Sequence, residues 1–271
     1  RSALVVALNY GGTQPAGPIA RYARGDDYHT VMREKLHELA AWLGIASGRL
    51  AHTRTFVDTG PVLERDLARR AGLGWFGKNT NLINPQIGSF FFIGSLFTDL
   101  ALEPDAPFEA DRCGTCTRCL DACPTRAFAA PRTLDATRCI SYLTIELKGA
   151  IPIDLRADMG ELLYGCDICQ DVCPWNVRFS RDISEPALLP HPDRTSPDAL
   201  ELLCLDQAGW RARFGASAMS RAKRRGLARN AAVALGNRRD PATIPALQAA
   251  ARDDPDAIVR EHAEWALGQF A

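Results

Sequence analysis

The chain has 271 residues, enough for one large domain or two to three small ones. Hydrophobic residues make up 46% and charged residues 24%, a globular composition that excludes a mostly disordered chain. Lys plus Arg equals Asp plus Glu at 32 each, so net charge names no partner. The longest apolar runs, such as residues 90–94, fall far short of the roughly 20 residues that cross a bilayer.

The chain opens at Arg1, without an initiator Met, and enters an apolar run at residues 3–8 with no basic leader or cleavage site. That opening predicts a cytoplasmic protein whose upstream residues are missing. Residues 2–9 read as a buried strand, 29–43 as an amphipathic helix and 54–58 as a second strand. Residues 61–71 resume a helix with Pro61 in its first turn, and 88–96 form a β-rich apolar run. These runs predict an α/β domain over residues 1–105, large enough for a cofactor pocket. Asp58 falls at the C-terminal end of the second strand, where α/β proteins place reactive groups. It is a candidate general acid if burial raises its pKa, with capping of the next helix as the alternative. No Gly-x-Gly-x-x-Gly or Gly-x4-Gly-Lys-Ser/Thr run occurs, so a dinucleotide or ATP site has no support.

A turn-rich stretch at 102–108 leads into a cysteine-rich unit, placed at residues 106–185. Eight of the nine cysteines lie between 113 and 173. The first four read Cys113-x2-Cys116-x2-Cys119-x3-Cys123-Pro124, the spacing of two-cluster ferredoxins, in which the fourth thiolate reaches across to the other cube. The second group, Cys166-x2-Cys169-x3-Cys173-Pro174, is short by one member, which Cys139 can supply. Under the crossover rule one [4Fe-4S] cube takes Cys113, Cys116, Cys119 and Cys173, and the other takes Cys123, Cys139, Cys166 and Cys169. Zinc is the weaker reading, because this spacing is poor zinc syntax. Disulfides are weaker still in a long chain without an export signal. Cys204, in the apolar stretch Leu200-Glu-Leu-Leu-Cys-Leu, reads as a buried core thiol.

Residues 186–197 carry four prolines and read as a linker. Beyond it, residues 197–271 are Ala-rich and helical, and Ala-Leu-Gly recurs at 234–236 and 266–268, which suggests HEAT-like paired helices. Between Gly209 and Arg239 stand nine basic residues and no acid. A solvated basic face is one reading; a phosphate-bearing partner gripped by Arg221, Lys223, Arg224 and Arg225 is the other.

Several segments together resemble a known family. They are Ala20-Arg-Tyr-Ala-Arg-Gly-Asp-Asp-Tyr-His29, Val57-Asp-Thr-Gly-Pro-Val-Leu-Glu-Arg65 and Leu73-Gly-Trp-Phe-Gly-Lys-Asn-Thr80, with Arg138-Cys-Ile-Ser-Tyr-Leu-Thr-Ile-Glu-Leu-Lys-Gly149 and Tyr164-Gly-Cys-Asp-Ile-Cys-Gln-Asp-Val-Cys-Pro-Trp-Asn176. They are similar to epoxyqueuosine reductases, and the likeness spans nearly the whole chain. The resemblance implies an α+β multidomain enzyme: an α/β cobalamin-binding domain, a ferredoxin-like two-[4Fe-4S] module and C-terminal α-helical HEAT-like repeats. It implies reduction of epoxyqueuosine to queuosine at the tRNA wobble position, with electrons from an external low-potential donor. It also implies that Asp58 is the proton donor, that cobalamin contacts include Tyr22, Asp58, Ser141, Cys166 and Asp167, with Ile83 and Gly94 less securely placed, and that Lys148 touches tRNA.

The Asp-x-His-x-x-Gly motif that gives many corrinoid proteins a His ligand is absent, because Asp27-x-His29 continues Thr-Val-Met. We therefore expect cobalamin with no His ligand to cobalt, and His29 as a structural or pocket-wall residue. A monomer without membrane attachment is the simplest form. Another corrinoid iron–sulfur reductase acting on a small molecule is the competing function, but it leaves the acid-free basic tail unexplained. An electron carrier would need no pocket acid, and a nucleic-acid protein with structural clusters would need no cobalamin.

Overall fold

The structure is a computed structural model that describes residues 1–270. In chain order the N-terminal part contributes β1 (Ser2–Asn9), α1 (Tyr28–Ser47), β2 (Thr53–Phe56), α2 (Glu64–Arg70), a ribbon of β3 (Trp75–Phe76) and β4 (Leu82–Ile83), and β5 (Phe91–Thr98). The strands β1, β5 and β2 form one sheet in that order, antiparallel at both pairings. This corrects the α/β expectation: among the described residues no parallel βαβ unit forms, and the N-terminal part is α+β. The connection through the β3–β4 ribbon returns the chain so that β5 runs back along β2, with Phe56 opposite Ser95.

Alternate residues of the sheet face two different layers. Leu4, Val6, Leu8, Phe92 and Leu96 pack with Val31, Met32, Leu36 and Leu43 of α1. Val5, Ala7, Phe91 and Ile93 pack on the other side with Ala68 of α2 and Leu82. Both faces are covered, so β1 and β5 lack polar alternation and resemble parallel strands in sequence. Gly94 lies on the α1 side, where a Cβ would sit 2.7 Å from Met32 Cε. The absent side chain lets α1 approach the sheet. Asp27 caps α1 by accepting from the His29 amide at 3.0 Å, and Gly48 ends it in the left-handed region at φ 64°.

The cysteine-rich part holds α3 (Arg118–Asp121), a hairpin of β6 (Phe128–Ala130) and β7 (Thr133–Leu134), α4 (Ile140–Ile145), α5 (Ile153–Arg156), α6 (Ile168–Asp171) and α7 (Pro174–Phe179). The proline-rich stretch that follows contains α8 (Pro192–Thr195) and is a packed strap. Leu188 is buried, the His191 amide donates to Arg24 O at 2.9 Å, and a Cβ on Gly25 would meet Leu188 O at 2.6 Å.

The C-terminal part is helical: α9 (Ala199–Cys204), α10 (Gln207–Phe214), α11 (Lys223–Arg238), α12 (Ile244–Asp253) and α13 (Ala257–Leu267). Gly236 admits α13 closely, since a Cβ there would lie 2.8 Å from Ala266 Cα. Cys204 is exposed, against expectation, because the buried face of α9 is Ala199, Leu202 and Leu203. No described helix is long and apolar enough to cross a membrane.

Buried and half-buried polar side chains of α11 join this part to the cysteine-rich part. Asn230 donates to Thr144 O and Leu163 O, both at 2.8 Å, and Asn237 to Arg156 O and Gly160 O. Arg229 is buried and donates to the carbonyls of Leu143, Leu147 and Gly149, which capture the end of α4. Burial lowers its pKa to about 10, still charged at neutral pH. Replacing Arg229 by Met strands these carbonyls, and we expect a loss of about 3 kcal/mol or more, read as an earlier midpoint in urea.

Candidate functional site

Among the described residues, no three His, Cys, Asp or Glu side chains converge tightly enough for a single metal ion. Two hollows are instead each lined by four cysteines. Cys113, Cys116, Cys119 and Cys173 surround a cavity of about 170 Å³ beside Trp175 and Ile83. Cys123, Cys139, Cys166 and Cys169 surround a smaller one beside Ile140 and Phe128. Local chain chemistry sets these positions. Cys139 and Cys173 are the N-caps of α4 and α7, and Pro174 occupies the first turn of α7, where a missing N–H costs nothing. The Trp75 indole N–H reaches Cys113 Sγ at 3.4 Å, and the Ala127 amide reaches Cys123 Sγ at 3.3 Å. Burial pushes the Cys119 thiol up to about 11 and Cys166 to about 12, with neighbouring thiols adding to the effect. Such groups ionise together only against a cationic core.

Three larger hollows meet at Asp58 and Tyr22. One, of about 680 Å³, runs between α2 and the sheet past Tyr28, Glu64, Phe76 and Phe92. A second, of about 580 Å³, passes Ser141, Asn79 and Asp167 to Cys139, Cys166 and Cys169. The third, of about 400 Å³, is lined by Tyr28, His29, Ile145, Glu146, Tyr164 and Arg221. The four-cysteine set containing Cys166 therefore opens onto the common space. The set containing Cys113 shares none of its cysteines with these three hollows.

Asp58 follows β2 in the left-handed region at φ 57°, a strained conformation for a non-glycine residue. Its amide donates to both Glu64 carboxylate oxygens, at 3.0 and 2.9 Å. Helix α2 is N-capped by Leu63, with no side-chain hydrogen bond, so Asp58 does not cap it. Its carboxylate accepts from Tyr28 Oη at 2.8 Å and lies 3.5 Å from His29 Nε2. The expectation of a raised pKa is corrected. The His29 imidazole beside it, with Tyr28 donating, outweighs desolvation and holds the Asp58 carboxyl below the usual range. The same contacts, chiefly with Asp27, hold His29 up at about 9. Sequence reasoning had His29 as structural or wall-forming and gave Tyr28 and Glu64 no part; all three lie in polar segments it had marked.

Tyr22, Ser141, Cys166 and Asp167 line the common space. Asp167 is buried, accepts from the Arg21 amide at 2.8 Å and pairs with its guanidinium at 3.1 Å. Two expected contacts fall elsewhere. Ile83 is turned into the hollow of Cys113, and Gly94 faces α1, so neither borders the three larger hollows. Of the basic set, Lys148 and Lys223 are exposed, and Arg221 pairs with Glu146 at 2.9 Å. Arg224 is corrected: it is buried and paired with Asp254 at 2.7 Å, which removes it from any outer contact. Arg225 lies 3.9 Å from Asp256.

Two four-cysteine hollows, one opening onto a large cavity with a polar cluster, define a double-cluster iron–sulfur redox protein. Residues 112–176 match the family model of 4Fe-4S double cluster binding domains, residues 216–268 that of HEAT repeats, and residues 1–59 that of epoxyqueuosine reductase QueG. An epoxyqueuosine reductase of Pseudomonas aeruginosa is 47% identical over 251 residues, covering 92% of this chain and 68% of the relative. An epoxyqueuosine reductase solved with an epoxyqueuosine-modified tRNA-Tyr stem loop superposes with a TM-score of 0.90 at 36% identity, covering 99% of this chain and 73% of that one. The Bacillus subtilis enzyme, solved with its aspartate-bearing catalytic loop swung out of the active site, gives 0.91 at 35% with the same coverage. The chain belongs to the epoxyqueuosine reductase family, oxidoreductases that convert epoxyqueuosine to queuosine in tRNA.

Proposed function

We propose that this chain reduces epoxyqueuosine at the wobble position of a tRNA anticodon stem-loop, with Asp58 as proton donor and cobalamin in the large cavity. The carrying observation is the junction of three hollows at Asp58, one of which reaches Cys166 and Cys169. Removing the epoxide oxygen as water takes two electrons and two protons, and both supplies must reach one small volume. The two four-cysteine groups would each hold a [4Fe-4S] cube, crossed between the sequence motifs. Electrons from an external low-potential donor would enter at the cube on Cys113, Cys116, Cys119 and Cys173 and pass to the one on Cys123, Cys139, Cys166 and Cys169.

The residues present fit a corrin. Tyr22, Phe76, Phe92 and Tyr142 offer apolar walls, while Ser141, Arg65, Asn81 and Gln170 offer polar contacts for its amide side chains. None of the five histidines lines the two larger hollows, which supports a corrin held without imidazole at cobalt. When bound, cobalamin supplies a low-potential metal centre for one-electron uptake and attack on carbon. Tyr22, Ser141, Cys166 and Asp167 would hold it. Tyr28 and Glu64 fix the Asp58 carboxylate and its loop, and the hollow between Tyr164, Ile145 and Arg221 would take the modified base. The aspartate-bearing catalytic loop described for the Bacillus enzyme supports the reading of Asp58 as its counterpart. A tRNA substrate sets the work in the cytoplasm, and one chain suffices for one stem-loop.

Asp58→Asn keeps the shape without an acid proton. We expect it to retain iron, cobalamin and RNA binding and to lose single-turnover reduction of the modified stem-loop by about a hundredfold or more. Wild-type rates in the loaded variant would remove Asp58 from the reaction.

Arg221, Lys223 and Arg225, with Lys148, would meet RNA phosphates. Neutralising Arg221, Lys223 and Arg225 together should weaken stem-loop binding across sequences and flatten the salt dependence of log Kd by roughly two to three. An unchanged slope would place the RNA on another face.

A further inference from the structure

Asp58 raises a difficulty for the proposed reaction: as an ionised, largely exposed carboxylate it holds no proton to give. Behind it stands His29, with Nε2 3.5 Å from Asp58 Oδ2 and Nδ1 2.8 Å from Asp27 Oδ1. The Nε2 atom is sealed from solvent and has no hydrogen-bond partner. The ring is fixed on both sides of this line. Asp27 caps α1 through the His29 amide, so the carboxylate holding Nδ1 is itself anchored. The imidazole stacks on Tyr28 with ring centres 4.0 Å apart, and Tyr28 stacks on Phe92 at 4.3 Å while donating to Asp58.

We propose that His29 is the proton store of this site, a positioning residue that holds a proton between Asp27 and Asp58 and recharges Asp58 in each cycle. The inference rests on the reading of Asp58 as the donor and adds where its proton waits. The charged and titratable groups around the ring are Asp27 at the cap and Arg33 on its own helix, Tyr28 and Asp58, Glu64 from α2, and Glu146, Tyr164 and Arg221 across the shared hollow. The two aspartates prevail, so the ring stays cationic through neutral pH. RNA closing over the cleft strips water from Asp58 and raises its affinity for a proton, which then has only this short gap to cross.

The step balances. The His29 Nε2–H bond breaks as an O–H bond forms on Asp58. That proton passes to the epoxide oxygen as its C–O bond breaks. His29 keeps its Nδ1–H toward Asp27. The second C–O bond breaks as a second proton, from solvent, completes water, and the proton that reloads His29 also comes from solvent. The two electrons come from the external low-potential donor through the clusters.

The test combines a titration with turnover. In the cluster-loaded protein without cobalamin, nitrogen NMR of labelled histidine should place His29 near pH 9, and Asp58→Asn should move it down. In the fully loaded enzyme, His29→Ala should lower kcat by about a hundredfold with KM for the stem-loop within twofold. Added imidazole should restore much of that rate, and His29→Gln should stay slow. A His29 that titrates near its ordinary value in the wild type overturns the store. So does His29→Ala with wild-type kcat, or a loss that imidazole does not relieve. If Asp58→Asn itself turns over normally, the reading of Asp58 fails first; if only the His29 results fail, the store fails alone.

Discussion

The buried pair between Arg21 and Asp167 is the joint on which the cavity depends. Arg21 donates to Asp167 through both its backbone amide and its guanidinium, and the same guanidinium reaches Asp171 at 2.5 Å and lies over the Phe90 ring. Asp167 sits beside Cys166, so the contact locks the second cysteine group against the segment that carries Tyr22. Further hydrogen bonds continue the joint, with the Ala20 amide donating to Tyr164 O at 2.8 Å and the Asn79 side chain, through Nδ2, to Cys169 O at 3.3 Å. Removing one partner of such a pair leaves an uncompensated buried charge, at a cost of about 3–5 kcal/mol. The hollow in front of Asp58 exists because two parts of the chain are held at this spacing.

Within that frame the site separates its two supplies. The cysteine groups occupy one wall, where burial and mutual repulsion make their sulfurs depend on iron for charge balance. The opposite wall carries Asp27, hydrogen-bonded to His29, and Tyr28, hydrogen-bonded to Asp58, with His29 Nε2 3.5 Å from Asp58. In the proposed reaction, electrons and protons would therefore arrive from different elements. The helical C-terminal part completes the enclosure, since Tyr164 donates to Ala218 O and Arg221 pairs with Glu146 at the rim. Arg229 and Asn230 tie α11 to α4, so the basic surface proposed for RNA is joined to the cysteine-rich part.

The sequence was most legible where chemistry is local. Cysteine spacing announced the clusters because ligand geometry is written within a few residues, and the 4Fe-4S double cluster match bears out that class. The first strand, the first helix and the helical tail were equally plain. What failed depended on distant partners. The N-terminal part was read as α/β, and the antiparallel pairing was not legible because layers on both faces erase polar alternation in β1 and β5. The basic run looked free because its acids lie far off in sequence: Glu146 for Arg221, Asp254 for Arg224 and Glu161 for Arg238. The Asp58 pKa was expected to rise because burial alone was considered, whereas His29 and Tyr28, about thirty residues earlier, set its direction. Cys204 was misplaced by one position on a helix face. In each case the sequence carried the residue and the missing information was its neighbour.

The central claim is that the cavity at Asp58 seats the corrin beside the cube held by Cys123, Cys139, Cys166 and Cys169. Electron paramagnetic resonance of the cobalamin-loaded protein, poised with cobalt(II) and reduced clusters, tests this directly. The account predicts magnetic coupling between cobalt and one cluster, and its loss in Cys139→Ala, which keeps the cube on Cys113. Coupling that survives Cys139→Ala unchanged, or no coupling in the loaded wild type, would contradict it.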